Sequence, residues 1–116
     1  MNPRTIITTL LALFAFALVF TPAQAADRYS SGGKTWDTST ANWGTASGGP
    51  YNTATWNNMT PDNAIFEGTA GTVALGEAIS VKNLRFTTVV NYTIGGNTLA
   101  FASGGTITNT ANGANS

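Results

Sequence analysis

Short apolar pairs return along this chain at a nearly constant interval, and that return restricts the available folds more than any other feature. Ile65-Phe66 is matched one round later by Leu84-Arg85-Phe86. Val73-Ala74-Leu75 is matched in the same way by Tyr92-Thr93-Ile94, and Val81 finds its counterpart in Leu99-Ala100-Phe101. Thr106-Ile107-Thr108 begins a third round. Within each piece the apolar residues alternate at period two, the mark of half-buried strands. Breakers separate the pieces: Glu67-Gly68, Ala70-Gly71, Gly76-Glu77, Gly95-Gly96-Asn97 and Gly104-Gly105. No amphipathic helical pattern competes. The expected fold class is all-β. Three short strands per round and a period near 20 predict the first coils of a right-handed parallel β-helix, in which equivalent side chains stack from coil to coil. A small antiparallel β-sandwich, which also uses short strands and frequent turns, is the alternative.

The strands begin only after two other zones. Residues 1–25 read as a signal peptide. Arg4 supplies the positive start, Ile6 to Phe20 an apolar core broken by Thr8 and Thr9, and Pro22 a stop. Ala23-Gln24-Ala25 is the small-x-small pattern that a signal peptidase cuts after. The core is about 15 residues long, short of the roughly 20 needed for a membrane span; an N-terminal anchor is the competing reading. Residues 26–61 are turn-rich and hold all three tryptophans, so they are expected to form an N-terminal cap. Residues 62–116 are expected to be the coils. The sequence places the mature chain outside the inner membrane, secreted or on the outer cell surface, with the export machinery as its first partner and no membrane span after cleavage.

Composition narrows the chemistry. Of 116 residues none is Cys and none is His. Disulfides cannot staple the fold, which fits an exported bacterial protein. The usual general base and the usual metal ligand are both missing. Without residues 1–25 the chain carries four basic against five acidic side chains, so no basic patch exists to hold phosphates and nucleic acid is excluded as a partner. The acids Asp27, Asp37, Asp62, Glu67 and Glu77 are spread out, with no D-x-D cluster for calcium and no evident pair for glycoside hydrolysis. No catalytic residue, cofactor or metal is expected. Trp36, Trp43 and Trp56 are the candidate site residues. Their flat faces suit the C–H face of a sugar ring, so a carbohydrate-binding module with a cell-surface or extracellular polysaccharide as partner is one reading. The other is that they plug the apolar interior that a first coil leaves open. Asn42, Asn63, Asn83 and Asn97 sit beside turns, where Asn bonds its own backbone or stacks in a ladder. Asn58-Met59-Thr60 and Asn91-Tyr92-Thr93 match the glycosylation sequon, an accidental match in a bacterial chain.

Three stretches in a fixed order carry a family resemblance. They are Lys34-Thr35-Trp36-Asp37-Thr38-Ser39-Thr40-Ala41-Asn42-Trp43; then Thr55-Trp56-Asn57-Asn58 with Asp62-Asn63-Ala64-Ile65-Phe66; then Val81-Lys82-Asn83-Leu84-Arg85-Phe86 with Tyr92-Thr93-Ile94-Gly95-Gly96-Asn97-Thr98-Leu99 and Gly104-Gly105-Thr106-Ile107. The series resembles the N-terminal portion of bacterial autotransporter-associated β-strand repeat proteins, also called passenger-associated-transport-repeat proteins. The resemblance spans nearly all of residues 34–108. It implies a right-handed parallel β-helix stalk, non-catalytic and structural or adhesive, on a large surface-associated passenger. It implies no catalytic site. Members of that family run to many hundreds of residues, so a chain ending mid-pattern at residues 110–116 is expected to be the N-terminal piece of a longer protein. A β-helix lyase or hydrolase with its active coils beyond Ser116 is a further reading.

Overall fold

Phe86 lies beside Phe66 and Phe101 beside Val81, in parallel ladders that bring the chain back to the same place one lap later. The computed structural model describes residues 24–87, 91–113 and 115–116. The expected signal peptide therefore lies almost wholly outside the described residues. Nine strands are described: β1 (Asp27–Ser31), β2 (Lys34–Trp36), β3 (Asn63–Glu67), β4 (Thr72–Leu75), β5 (Ile79–Val81), β6 (Leu84–Phe86), β7 (Thr93–Gly96), β8 (Leu99–Phe101) and β9 (Ile107–Asn109). They form three sheets, of order β1-β3-β6-β9, β2-β4-β7 and β5-β8. The chain visits these sheets in rotation, and every strand ladder is parallel. Chain neighbours do not pair. The antiparallel sandwich is thereby ruled out: the antiparallel contacts among the described residues are two isolated bridges, Tyr29 with Gly44 and Trp43 with Ala54.

Alternation sets the faces. In β4 the pattern Thr72-Val73-Ala74-Leu75 buries Val73 and Leu75 and exposes Thr72 and Ala74. Ile79 and Val81 in β5, and Leu84 and Phe86 in β6, are likewise the buried members of their strands. Successive laps thus pile Ala64 on Leu84 and Phe66 on Phe86, whose rings stack 5.4 Å apart. Stacking like side chains in register keeps the interior dry while each backbone group on a strand finds a partner above or below.

Three expectations change in detail. Val73 pairs with Ile94, not Tyr92, and Leu75 pairs with Gly96. A slip of two positions leaves the inward face unchanged, so the apolar pattern could not distinguish the registers. Tyr92 instead enters at the corner before β7, fully buried. Its hydroxyl lies 2.6 Å from Thr69 O and 2.9 Å from Glu67 O, and accepts from Gly32 N at 3.0 Å. The third round is longer than the second: Ala64 meets Leu84, but Leu84 meets Ile107. Finally, the boundary at 61/62 does not divide strand-free from stranded chain. β1 and β2 lie before it and pair with β3 and β4. β1 reads Asp-Arg-Tyr-Ser-Ser, and so polar a strand has no apolar alternation to reveal it.

Asparagines tie the laps together at one corner. Asn63 Nδ2 donates to Asp27 Oδ1 at 2.9 Å, Asn83 Nδ2 donates to Asn63 Oδ1 at 2.8 Å, and Asn83 Oδ1 accepts from Thr106 N at 3.0 Å. Each amide both donates and accepts along the stack, which lets the dipoles polarise one another.

Candidate functional site

The loop of residues 37–62, inserted between β2 and β3, lies across one end of all three sheets. It meets each outer strand with groups that take the place of a further strand. On β1, Tyr29 N donates to Gly44 O at 2.9 Å and Gly44 N donates to Tyr29 O at 2.8 Å. On β2, Thr35 O accepts from Asn42 Nδ2 at 2.6 Å. On β5, Ser80 N donates to Asn58 Oδ1 at 2.8 Å while Ser80 O accepts from Trp56 Nε1 at 2.9 Å. Backbone groups at a sheet edge otherwise invite another chain to pair.

Under this lid sit the three tryptophans. Trp36 comes from β2, Trp43 and Trp56 from the loop, and their exposures are 0, 0 and 2%. The rings are 4.8–4.9 Å apart, centroid to centroid, in tilted or edge-on pairs. Phe66 closes the group from below, 5.9 Å from Trp36 and 5.6 Å from Trp43. Edge-to-face packing puts the positive rim of one ring against the negative face of the next. All three candidate sugar-contact residues are thus brought together, but with no ring face at the surface. A sugar could stack on them only by displacing the loop. The indole N–H groups of Trp36 and Trp43 are buried without an acceptor, which suits an apolar plug better than a binding site.

Polar side chains seal the rim, and the sequence did not point to them. Glu67, at the end of β3, accepts from Ser47 Oγ at 2.8 Å, Gly48 N at 2.6 Å and Tyr51 OH at 2.9 Å. Burial pushes this carboxyl up, yet the three donors outweigh burial and hold it below the ordinary 4.5. Lys34 Nζ donates to Asn42 O at 2.7 Å and stands 5.5 Å from the centre of the Trp43 ring; burial lowers its pKa to about 8. Asp37 accepts from the backbone of Thr40 at 2.7 Å and of Ser39 at 3.1 Å, bonds that lower its pKa. Glu77 accepts from Thr38 N at 3.3 Å and Thr38 Oγ1 at 3.1 Å. Each of these acids fastens a turn. Among the described residues no group of three acids stands where it could hold a metal.

Glu67 makes acid sensitivity testable. Its folded pKa is depressed, so its contribution is complete above the unfolded value near 4.5 and is lost as pH falls through the lower folded value. Glu67→Gln should cost about 1–2 kcal/mol at pH 7, the difference between charged and neutral hydrogen bonds. That cost should shrink as pH drops below 4.5. Urea midpoints of both proteins from pH 7 to pH 3 give the result; a gap independent of pH would show that the loop is not held by charge.

The other end of the core is open. Ile94 and Leu99 are half-buried, Phe101 is 39% and Ile107 64% exposed. Ile94, Leu99 and Ile107 join Leu75, Leu84 and Phe86 in lining an apolar groove of ≈ 310 Å³. Ser116 reaches the edge of β7 there, donating from its N to Tyr92 O at 2.8 Å and accepting from Ile94 N at 2.7 Å.

Compared with known proteins, the chain is 41% identical over 104 residues to the adhesin BmaC autotransporter of Brucella suis biovar 1 (strain 1330). The alignment covers 79% of this chain and 3% of that protein's length. No known family profile matches the chain, and no solved structure does.

Proposed function

We propose that this chain is a non-catalytic structural segment of an exported, surface-associated adhesin of the autotransporter type. Its three sheets are the faces of the first coils of a right-handed parallel β-helix, of the autotransporter-associated β-strand repeat kind. The tryptophan-bearing loop closes the N-terminal end, and the opposite end receives the next coil. The observation that carries this reading is the rotation through three parallel sheets, lap after lap, with one end sealed and the other apolar. The likeness to the Brucella adhesin supports the adhesive setting. In mechanism the segment is a stiff element: parallel pairing and apolar ladders repeat lap upon lap, so that each lap templates the next. The leader at residues 1–25 directs it out of the cytoplasm.

The test adds one lap. Ser116 stands opposite Thr93, so extending the chain past Ser116 with a copy of residues 94–116 should cover Phe101 and Ile107 and raise the unfolding midpoint by about 5 °C or more, because each added repeat contributes its interface energy. An unchanged midpoint would sink the stalk reading.

A further inference from the structure

We propose that the peptide bond between Ala25 and Ala26 is cut, and that the freed α-ammonium of Ala26 locks onto the carboxylate of Asp62. The inference rests on the export reading above but comes from a separate contact. Ala26 N donates to Asp62 Oδ1 at 2.9 Å. The other oxygen, Oδ2, stands 3.2 Å from Arg28 Nε, and the carboxylate is only 16% exposed. Arg28 Nε is buried and lacks an aligned hydrogen bond to that oxygen, so Asp62 has room for a second, better cation. The position of Ala26 is set independently: its carbonyl accepts from Asn63 N at 2.9 Å, and Asp27 pairs in register with Asn63.

The junction itself is reachable. Gln24 and Ala26 are exposed and Ala25 is half-buried, and Ala23-Gln24-Ala25 has the residue sizes that a signal peptidase accepts. In the cut, water is the co-reactant. The C–N bond breaks, the Ala25 carbonyl carbon takes the hydroxyl, and the Ala26 nitrogen takes the proton and is protonated further by solvent. The same nitrogen that donated from an uncharged amide then carries a full charge at the same place. A charged donor adds direct ion-pair attraction to a bond that was charge-assisted through its acceptor alone. Cleavage thus strengthens the tie between the start of β1 and Asp62, which the uncut chain makes only with an uncharged amide.

The experiment expresses the full chain with its leader in a Gram-negative host and measures the intact mass of the exported product. The α-amine is then labelled at pH 8 with limiting acetic anhydride, and the site is mapped by mass spectrometry. The mass should place the first residue at Ala26. The amine should react about 2-fold more slowly than in Asp62→Asn, as expected at pH 8 when a nearby carboxylate raises an α-amino pKa from its usual 7.7–8.0 by about half a unit. An exported product that starts elsewhere overturns the proposal and leaves the export reading standing; a chain that is neither cut nor exported overturns both. A start at Ala26 with equal labelling in Asp62→Asn overturns the lock alone. Should Asp62→Asn fail to fold, Arg28→Gln decides. Loss of the competing cation should slow labelling further, and an unchanged rate overturns the lock.

Discussion

Trp43→Ala should abolish cooperative unfolding of the domain at room temperature. The ring is fully buried against Trp36, Trp56 and Phe66, and truncating such a side chain costs about 3–5 kcal/mol. A domain of about 90 residues sits near the low end of the usual 5–15 kcal/mol of total stability, so most or all of the margin disappears. Backbone geometry adds to the loss. Trp43 N donates to Ala54 O at 3.1 Å and Ala54 N to Trp43 O at 2.9 Å, and the adjoining Gly44 covers the edge of β1. When the loop loosens, that edge is bared and the protein should also aggregate. Near-ultraviolet circular dichroism and the thermal midpoint report the result. Met59→Ala, at a side chain 88% exposed, is the control and should leave both unchanged. A Trp43→Ala protein with the wild-type midpoint would mean that the tryptophans do not close the core.

The second large effect is expected from one added methyl group. Gly71 lies in the corner before β4, where the chain passes directly over Gly33. A Cβ on Gly71 would fall on the Gly33 backbone nitrogen and 2.7 Å from its Cα. Backbone cannot swing aside as a side chain can, so Gly71→Ala must push β2 and β4 apart. The ladder from Lys34–Val73 to Trp36–Leu75 then stretches, and Trp36 is lifted out of the aromatic group. Overpacking of this kind costs about 1–3 kcal/mol, or roughly 5–20 °C in midpoint for a domain of this size. Gly95→Ala is the matched control, since a Cβ there meets nothing within 4 Å. Equal midpoints for the two variants would show that the corner gives way at no cost.

Reading from sequence to structure, the strands of the later laps were largely legible. Val73 and Leu75, Ile79 and Val81, and Leu84 and Phe86 alternate so strictly that their shared inward face follows from period two alone. The nearly constant interval favoured parallel pairing between laps but left the antiparallel sandwich open, and the parallel ladders decided between them. The grouping of Trp36, Trp43 and Trp56 was visible as a local excess of aromatic residues, although nothing in their spacing decided between a surface for sugar and a buried plug.

Three-dimensional packing decided the rest. β1 was hidden because its side chains are polar, and its partner β3 lies far along the chain, across the loop. Val73 opposite Ile94 instead of Tyr92 is a choice between registers of equal apolar pattern, settled by the fit of the Tyr92 ring and hydroxyl at the corner. Asn58 and Glu67 bind the loop through contacts with residues distant in the chain, while Asn42 closes the edge of β2 by reaching back to Thr35. Side-chain periodicity records which way a residue faces within its own strand. It carries no information about which distant donor or acceptor will stand opposite, and at the closed end of this core those long-range polar contacts set the architecture.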